Sequence, residues 1–100
     1  MRKIEQQMMN AVYNRQSWQS GNTSVRPRFD GSLSVYLHGN HIANVINSNM
    51  VDDVITSRMV EVNTNTLRRW ATPTTKSRLR ALGANVTTRK GVTYLDNVAI

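Results

Sequence analysis

Seven cationic side chains, Arg68, Arg69, Lys76, Arg78, Arg80, Arg89 and Lys90, stand in the last third of the chain. No acidic residue occurs between Glu61 and Asp96, so nothing nearby in sequence neutralises them. Guanidinium and ammonium groups bind phosphate by charge, arginine with paired N–H donors as well. Such a run suits a polyanionic partner: DNA, RNA or an acidic protein. On a helix Lys76 and Arg80 would lie one turn apart on one face. Amides at a helix start after Thr74-Thr75 would favour an anion, and Trp70 or Tyr94 offers a ring on which a base can stack. The competing view leaves the cations on solvated faces, the threonines as plain caps and Trp70 in the core.

Other chemistry finds less support. His38-Gly39-Asn40-His41 contains both histidines. Across a tight turn two imidazoles would share a sheet face and could hold a metal, but a third ligand is wanting, Asp30 being the nearest in sequence. The turn alone accounts for the Gly and Asn. Asp52-Asp53 is the only adjacent carboxylate pair. Acid–base catalysis needs carboxylates in different environments, and neighbours on a solvated loop do not supply them. There is no cysteine, no G-x-S-x-G turn and no glycine-rich phosphate loop. No catalytic residue, metal or cofactor is therefore expected, and the chain is not read as an enzyme.

The whole composition agrees with a small basic domain. One hundred residues suit a single domain spanning 1–100. The net charge is +7 and the pI near 10.9. A hydrophobic fraction of 39% supports a modest core, with Asn, Ser and Thr making up much of the rest. The basic N-terminus lacks the apolar stretch of a secretory signal. No apolar run approaches the roughly 18 residues of a membrane span. A cytoplasmic location and no membrane partner are expected.

The elements that would position these residues can be read from periodicity. Ile4, Met8, Ala11 and Val12 recur at helical spacing, predicting an amphipathic helix over about 2–18 that Gly21-Asn22 stops. Val25 and Phe29, then Leu33, Val35 and Leu37, alternate as strands. A three-residue loop, Asp30 to Ser32, keeps the apolar faces matched by pairing Phe29 with Leu33 and Val25 with Leu37. A two-residue turn at Gly39-Asn40 would set His38 against His41, Leu37 against Ile42 and Leu33 against Ile46. Only Asn44 interrupts that face. On the opposite face Tyr36, Ala43 and Val45 would form an exposed patch open to a homo-oligomer.

Over residues 47–66, Met50, Val51, Val54, Ile55 and Met59 could line a short helix. A loop or helical turn is favoured, followed by a strand over about 57–65. Thr72-Pro73-Thr74-Thr75 introduces a helix over about 75–82 closed by Gly83. Val86–Arg89 and Val92–Leu95 close the chain as a hairpin around Lys90-Gly91. The fold class is α+β, a small antiparallel sheet with an N-terminal helix and a second short helix, in the order α-β-β-β-α-β-β.

Two stretches carry a resemblance: Tyr36-Leu37-His38-Gly39-Asn40 with Ile42-Ala43, and Trp70-Ala71-Thr72-Pro73-Thr74-Thr75-Lys76-Ser77-Arg78-Leu79. With the opening Lys3-Ile4-Glu5-Gln6-Gln7-Met8, they resemble a family of small uncharacterised proteins of tailed bacteriophages, marine ones included. The likeness covers most of residues 1–83 and loosens beyond. Arg69 and Arg80 stand where the pattern has Gly and Asn, and 47–58 is longer than usual. The resemblance implies a phage origin, hence the host cytoplasm, and transfers no site residue.

Three roles from different classes follow. The first is an accessory protein contacting DNA or RNA non-specifically through the seven cations. The second is an interaction module or inhibitor docking on an acidic host or phage protein, and the third a minor structural or assembly component.

Overall fold

The computed structural model describes residues 2–51 and 54–100. Helix α1 spans Lys3–Asn14 and buries Glu5, Met8, Ala11 and Val12, its i, i+3, i+6, i+7 face. It ends earlier than expected because Arg15 takes a left-handed conformation (φ 53°) and its N–H caps the Ala11 and Val12 carbonyls. Beyond it, Trp18–Ser20 forms strand β1. Gly21 therefore serves a hairpin turn at φ 56° and does not stop the helix.

A five-stranded antiparallel meander follows in sequence order: β1, β2 (Thr23–Pro27), β3 (Leu33–Leu37), β4 (Asn40–Val51) and β5 (Val54–Val62). The β2–β3 register pairs Pro27 with Leu33, Val25 with Val35 and Thr23 with Leu37. The expected pairing was two residues out. The strand closes at Pro27, the loop runs from Arg28 to Ser32, and Phe29 stands fully exposed at its tip. A two-residue shift preserves which face is apolar, so Val25, Leu33, Val35 and Leu37 still meet in the core.

The second turn is centred on His38-Gly39, both at positive φ (52° and 78°), and not on Gly39-Asn40. Tyr36 faces His41, but Val35 faces Ala43, which leaves Ile42 as an extra residue in β4. The Ile42 carbonyl accepts the Asn63 N–H at 2.8 Å. This bulge inverts the alternation. Ala43 and Val45 turn into the core (0% and 1% exposed) and Asn44 turns out of it. The expected exposed patch of Tyr36, Ala43 and Val45 does not exist.

The short helix considered for 47–59 is replaced by paired strand: Ile46 faces Met59, Asn47 faces Arg58 and Val51 faces Val54. The strand expected over 57–65 is β5, ending at Val62. Helix α2 (Thr64–Arg69), which periodicity did not reveal, begins at once. Helix α3 (Pro73–Leu82) ends at Gly83 (φ 109°), as expected.

Both helices and α1 cover one face of the meander. Met8, Val12, Leu67, Leu79 and Leu82 meet Val25, Val35, Ile42 and Val45 in one buried cluster. Full burial of each such side chain contributes about 1.5–3 kcal/mol. Strands β6 (Val86–Arg89) and β7 (Val92–Leu95) pair around Lys90-Gly91 as predicted. With β8 (Val98–Ala99) they form a separate three-stranded sheet, so the described residues form two antiparallel sheets where one was expected. None of the described helices is long and apolar enough to cross a membrane.

Candidate nucleic-acid interface

Helix α3 divides the basic residues. Thr72 caps it, its hydroxyl accepting from the Thr75 N–H at 3.2 Å, and Pro73 occupies the first turn. The Lys76 N–H goes to the Thr72 carbonyl at 3.1 Å. These helix-start amides are thus engaged within the chain, contrary to the expectation that they await an anion.

The buried stripe of α3 is Thr75, Arg78, Leu79 and Leu82. Arg78 is 3% exposed. Its Nη1 donates to Glu5 Oε2 at 2.8 Å and its Nε to Thr23 Oγ1 at 3.1 Å. Ser77 Oγ donates to the same Glu5 oxygen at 2.6 Å. Arg78 therefore leaves the phosphate-binding set, since a buried, paired guanidinium is committed to the fold.

Six cations remain, and among the described residues none of them makes an ion pair. Lys76 Nζ donates to Thr88 Oγ1 at 2.7 Å, and Arg80 Nε to the Val86 carbonyl at 2.7 Å. Lys76, bonded to the Thr88 side chain, borders the side of the small sheet turned to α3, whereas Arg80 reaches the backbone of β6. Arg89 projects from the opposite side, its guanidinium 5.6 Å from the Tyr94 ring centre. Lys90 is exposed in the β6–β7 turn at φ 51°. Arg68 and Arg69 are exposed in the last turn of α2, where the helix dipole favours positive charge. The Arg69 guanidinium lies 5.7 Å from the centre of Trp70. Trp70 is 46% exposed and so not a core residue.

Trp70 also walls a cleft that the sequence did not disclose. The β3–β4 turn and the α2–α3 junction enclose about 410 Å³, lined by Leu37, His38, Asn40, Ile42, Thr66, Trp70, Thr72, Thr74 and Thr75. The signal was present only in pieces, because the two stretches lie some thirty residues apart and meet only once the meander forms.

The uncovered face of the meander carries a second polar region that charge counting passed over. Arg26, Pro27, Arg28, Ser34, Tyr36 and His41 line a shallow groove. His41 is held on both ring nitrogens: Nε2 to Asn44 Oδ1 at 2.8 Å and Nδ1 to Asn63 Nδ2 at 3.0 Å. Ser34 Oγ donates to the same Asn44 oxygen at 3.0 Å. The two histidines are not cross-strand partners, since His38 sits in the turn and His41 faces Tyr36. Among the described residues no group of three or more His, Cys, Asp or Glu is placed to hold a metal. Asp52 and Asp53 lie outside the described residues.

A match to the family described as Kyanoviridae Gp96 protein covers residues 1–99. The chain belongs to this family. It is a cyanophage family, which agrees with the marine phage origin that the motifs suggested. The family match runs past residue 83, where the motif likeness loosened, and takes in the β6–β7 hairpin with Arg89 and Lys90. No curated protein and no solved structure matches the chain. Within the chain, two motif stretches that carried the resemblance meet, Glu5 from the first bonding to Ser77 and Arg78 from the last.

Proposed function

We propose that this phage protein binds DNA or RNA without strong sequence preference, in the cytoplasm of the infected host, through Arg68, Arg69, Lys76, Arg80, Arg89 and Lys90. The observation that carries the proposal is the pairing of free cations with rings. Six cations have no carboxylate partner among the described residues, and two of them, Arg69 and Arg89, lie against accessible aromatic rings. Charge alone would serve an acidic protein equally well. Rings beside guanidinium groups favour a nucleic acid, whose bases stack while its phosphates pair.

The test is a gel shift with single- and double-stranded DNA and RNA of random sequence at two salt concentrations. Binding that weakens steeply with salt, and is lost when Arg68 and Lys76 are both changed to Glu, supports the proposal. Absence of binding to every nucleic acid at low salt overturns it and turns attention to an acidic protein partner or a place in the particle.

A further inference from the structure

We propose that the cleft beside Trp70 receives a single unstacked nucleobase, carried either by a single-stranded nucleic acid or by a free nucleotide. The inference rests on the nucleic-acid proposal above and specifies where the strand is gripped. The cleft is lined on its apolar part by Leu37 and Ile42, which are 4% and 2% exposed. The half-exposed Trp70 lines it as well, together with the polar residues His38, Asn40 and Thr74. At about 410 Å³ it falls within the range of roughly 300–1,000 Å³ usual for small-ligand sites. Apolar, aromatic and hydrogen-bonding residues around one cleft together suit a flat heterocycle with a polar edge.

Positive charge stands beside the ring. The guanidinium of Arg69 lies over the Trp70 ring, and Arg68 precedes it at the exposed end of α2. A base stacked at the indole would bring its phosphate to these two cations. The amides of Thr75 and Lys76 are already bonded to Thr72, so recognition falls to side chains and not to the start of α3. Bases of an intact duplex are stacked on one another and cannot enter, so the cleft discriminates for single strands.

The experiment is a fluorescence and binding titration of the full chain with three probes: oligo-dT, an abasic oligonucleotide of equal length, and thymidine monophosphate. Trp70→Ala and Trp70→Phe are compared with the unaltered protein, with circular dichroism to verify folding. Oligo-dT is expected to quench the tryptophan emission, and W70A to lose the quenching attributable to Trp70. W70A should bind oligo-dT roughly 5- to 100-fold more weakly, with W70F recovering part of the loss. Duplex binding should be the same for all three proteins, and the abasic strand should bind the unaltered protein about as weakly as oligo-dT binds W70A.

If oligo-dT and the abasic strand bind equally, or W70A binds oligo-dT undiminished, the cleft is not a base site although the nucleic-acid proposal stands. If no oligonucleotide binds at low salt but thymidine monophosphate quenches Trp70, the cleft is a free-nucleotide site and the nucleic-acid proposal fails. If no probe binds, both fail.

Discussion

Glu5 and Arg78 meet at 2.8 Å across 73 positions of sequence, joining the first helix to the third inside the core. Both side chains are 4% exposed. Thr23 accepts from Arg78 Nε at 3.1 Å and itself donates to Asn22 Oδ1 at 2.9 Å. The network therefore ties α1, α3 and the β1–β2 turn together. Removing one partner strands the other's charge in a site with little water. Arg78→Ala is expected to destabilise the protein by about 3–5 kcal/mol. Replacing both residues with apolar ones, Glu5→Leu with Arg78→Met, should cost far less than the sum of the single changes. Chemical denaturation of the two single variants and the double variant measures this coupling.

The same pair sets a pH dependence. Burial by itself raises the Glu5 carboxyl, but hydrogen bonds from Ser77, Arg78 and the Arg2 amide, with the charge of Arg78, outweigh it and hold the carboxyl below its ordinary 4.5. The unfolded chain then takes up a proton at a higher pH than the folded one. The stabilisation is complete above about 4.5 and is lost as pH falls through the lower folded value. Asp30, bonded by the Ser32 hydroxyl and amide, shifts the same way. Thermal melts from pH 7 to pH 2 should show Tm falling below about pH 4.5, and Glu5→Gln should flatten much of that fall.

Asn63 has two duties. Its Oδ1 accepts from the Thr66 N–H at 3.2 Å, capping α2, while its Nδ2 donates to His41 at 3.0 Å. Asn63→Ala should cost about 1–2 kcal/mol, the cap together with the released imidazole bond. Amide hydrogen exchange should rise in Leu67–Trp70 before it rises in α1.

His38 occupies a left-handed position that Asn tolerates better. His38→Asn is expected to raise stability by about 0.5 kcal/mol without altering the hairpin. An upward shift in the denaturation midpoint, at constant slope, checks it.

Nucleic-acid binding should distinguish surface cations from the buried one. With six phosphate contacts, the slope of log K against log salt approaches about −4 for single strands, at roughly 0.7 per contact. Lys90→Ala and Arg89→Ala should each make it shallower by about 0.7, and the double variant Glu5→Leu with Arg78→Met, which leaves no buried charge unpaired, should leave it unchanged. Fluorescence anisotropy across a salt series measures these slopes.

Elements with strong periodicity or turn chemistry were legible: α1 as a helix, the end of α3 at Gly83, and the β6–β7 hairpin about Lys90-Gly91. The β2–β3 hairpin kept its apolar face but not its register, because a period of two cannot separate alignments two residues apart. The β3–β4 hairpin misled because Ile42 is a bulge, and the one polar residue that spoiled its face, Asn44, was the trace that alternation had already inverted. Helix α2 was invisible because Leu67 is its only buried residue. Six of the seven candidate cations remain at accessible or partly accessible positions. Arg78 was lost to a partner 73 residues away that no linear count can register, although its place in the stripe of Thr75, Leu79 and Leu82 was itself a warning. The Trp70 cleft needed two distant stretches brought together and could not be read from either.

The Glu5–Arg78 link also makes the first helix depend on a segment far from it in sequence. Without α3, the first helix has the meander to lie on but nothing to neutralise its inward carboxylate. A chain interrupted before Arg78 would leave α1 unfastened.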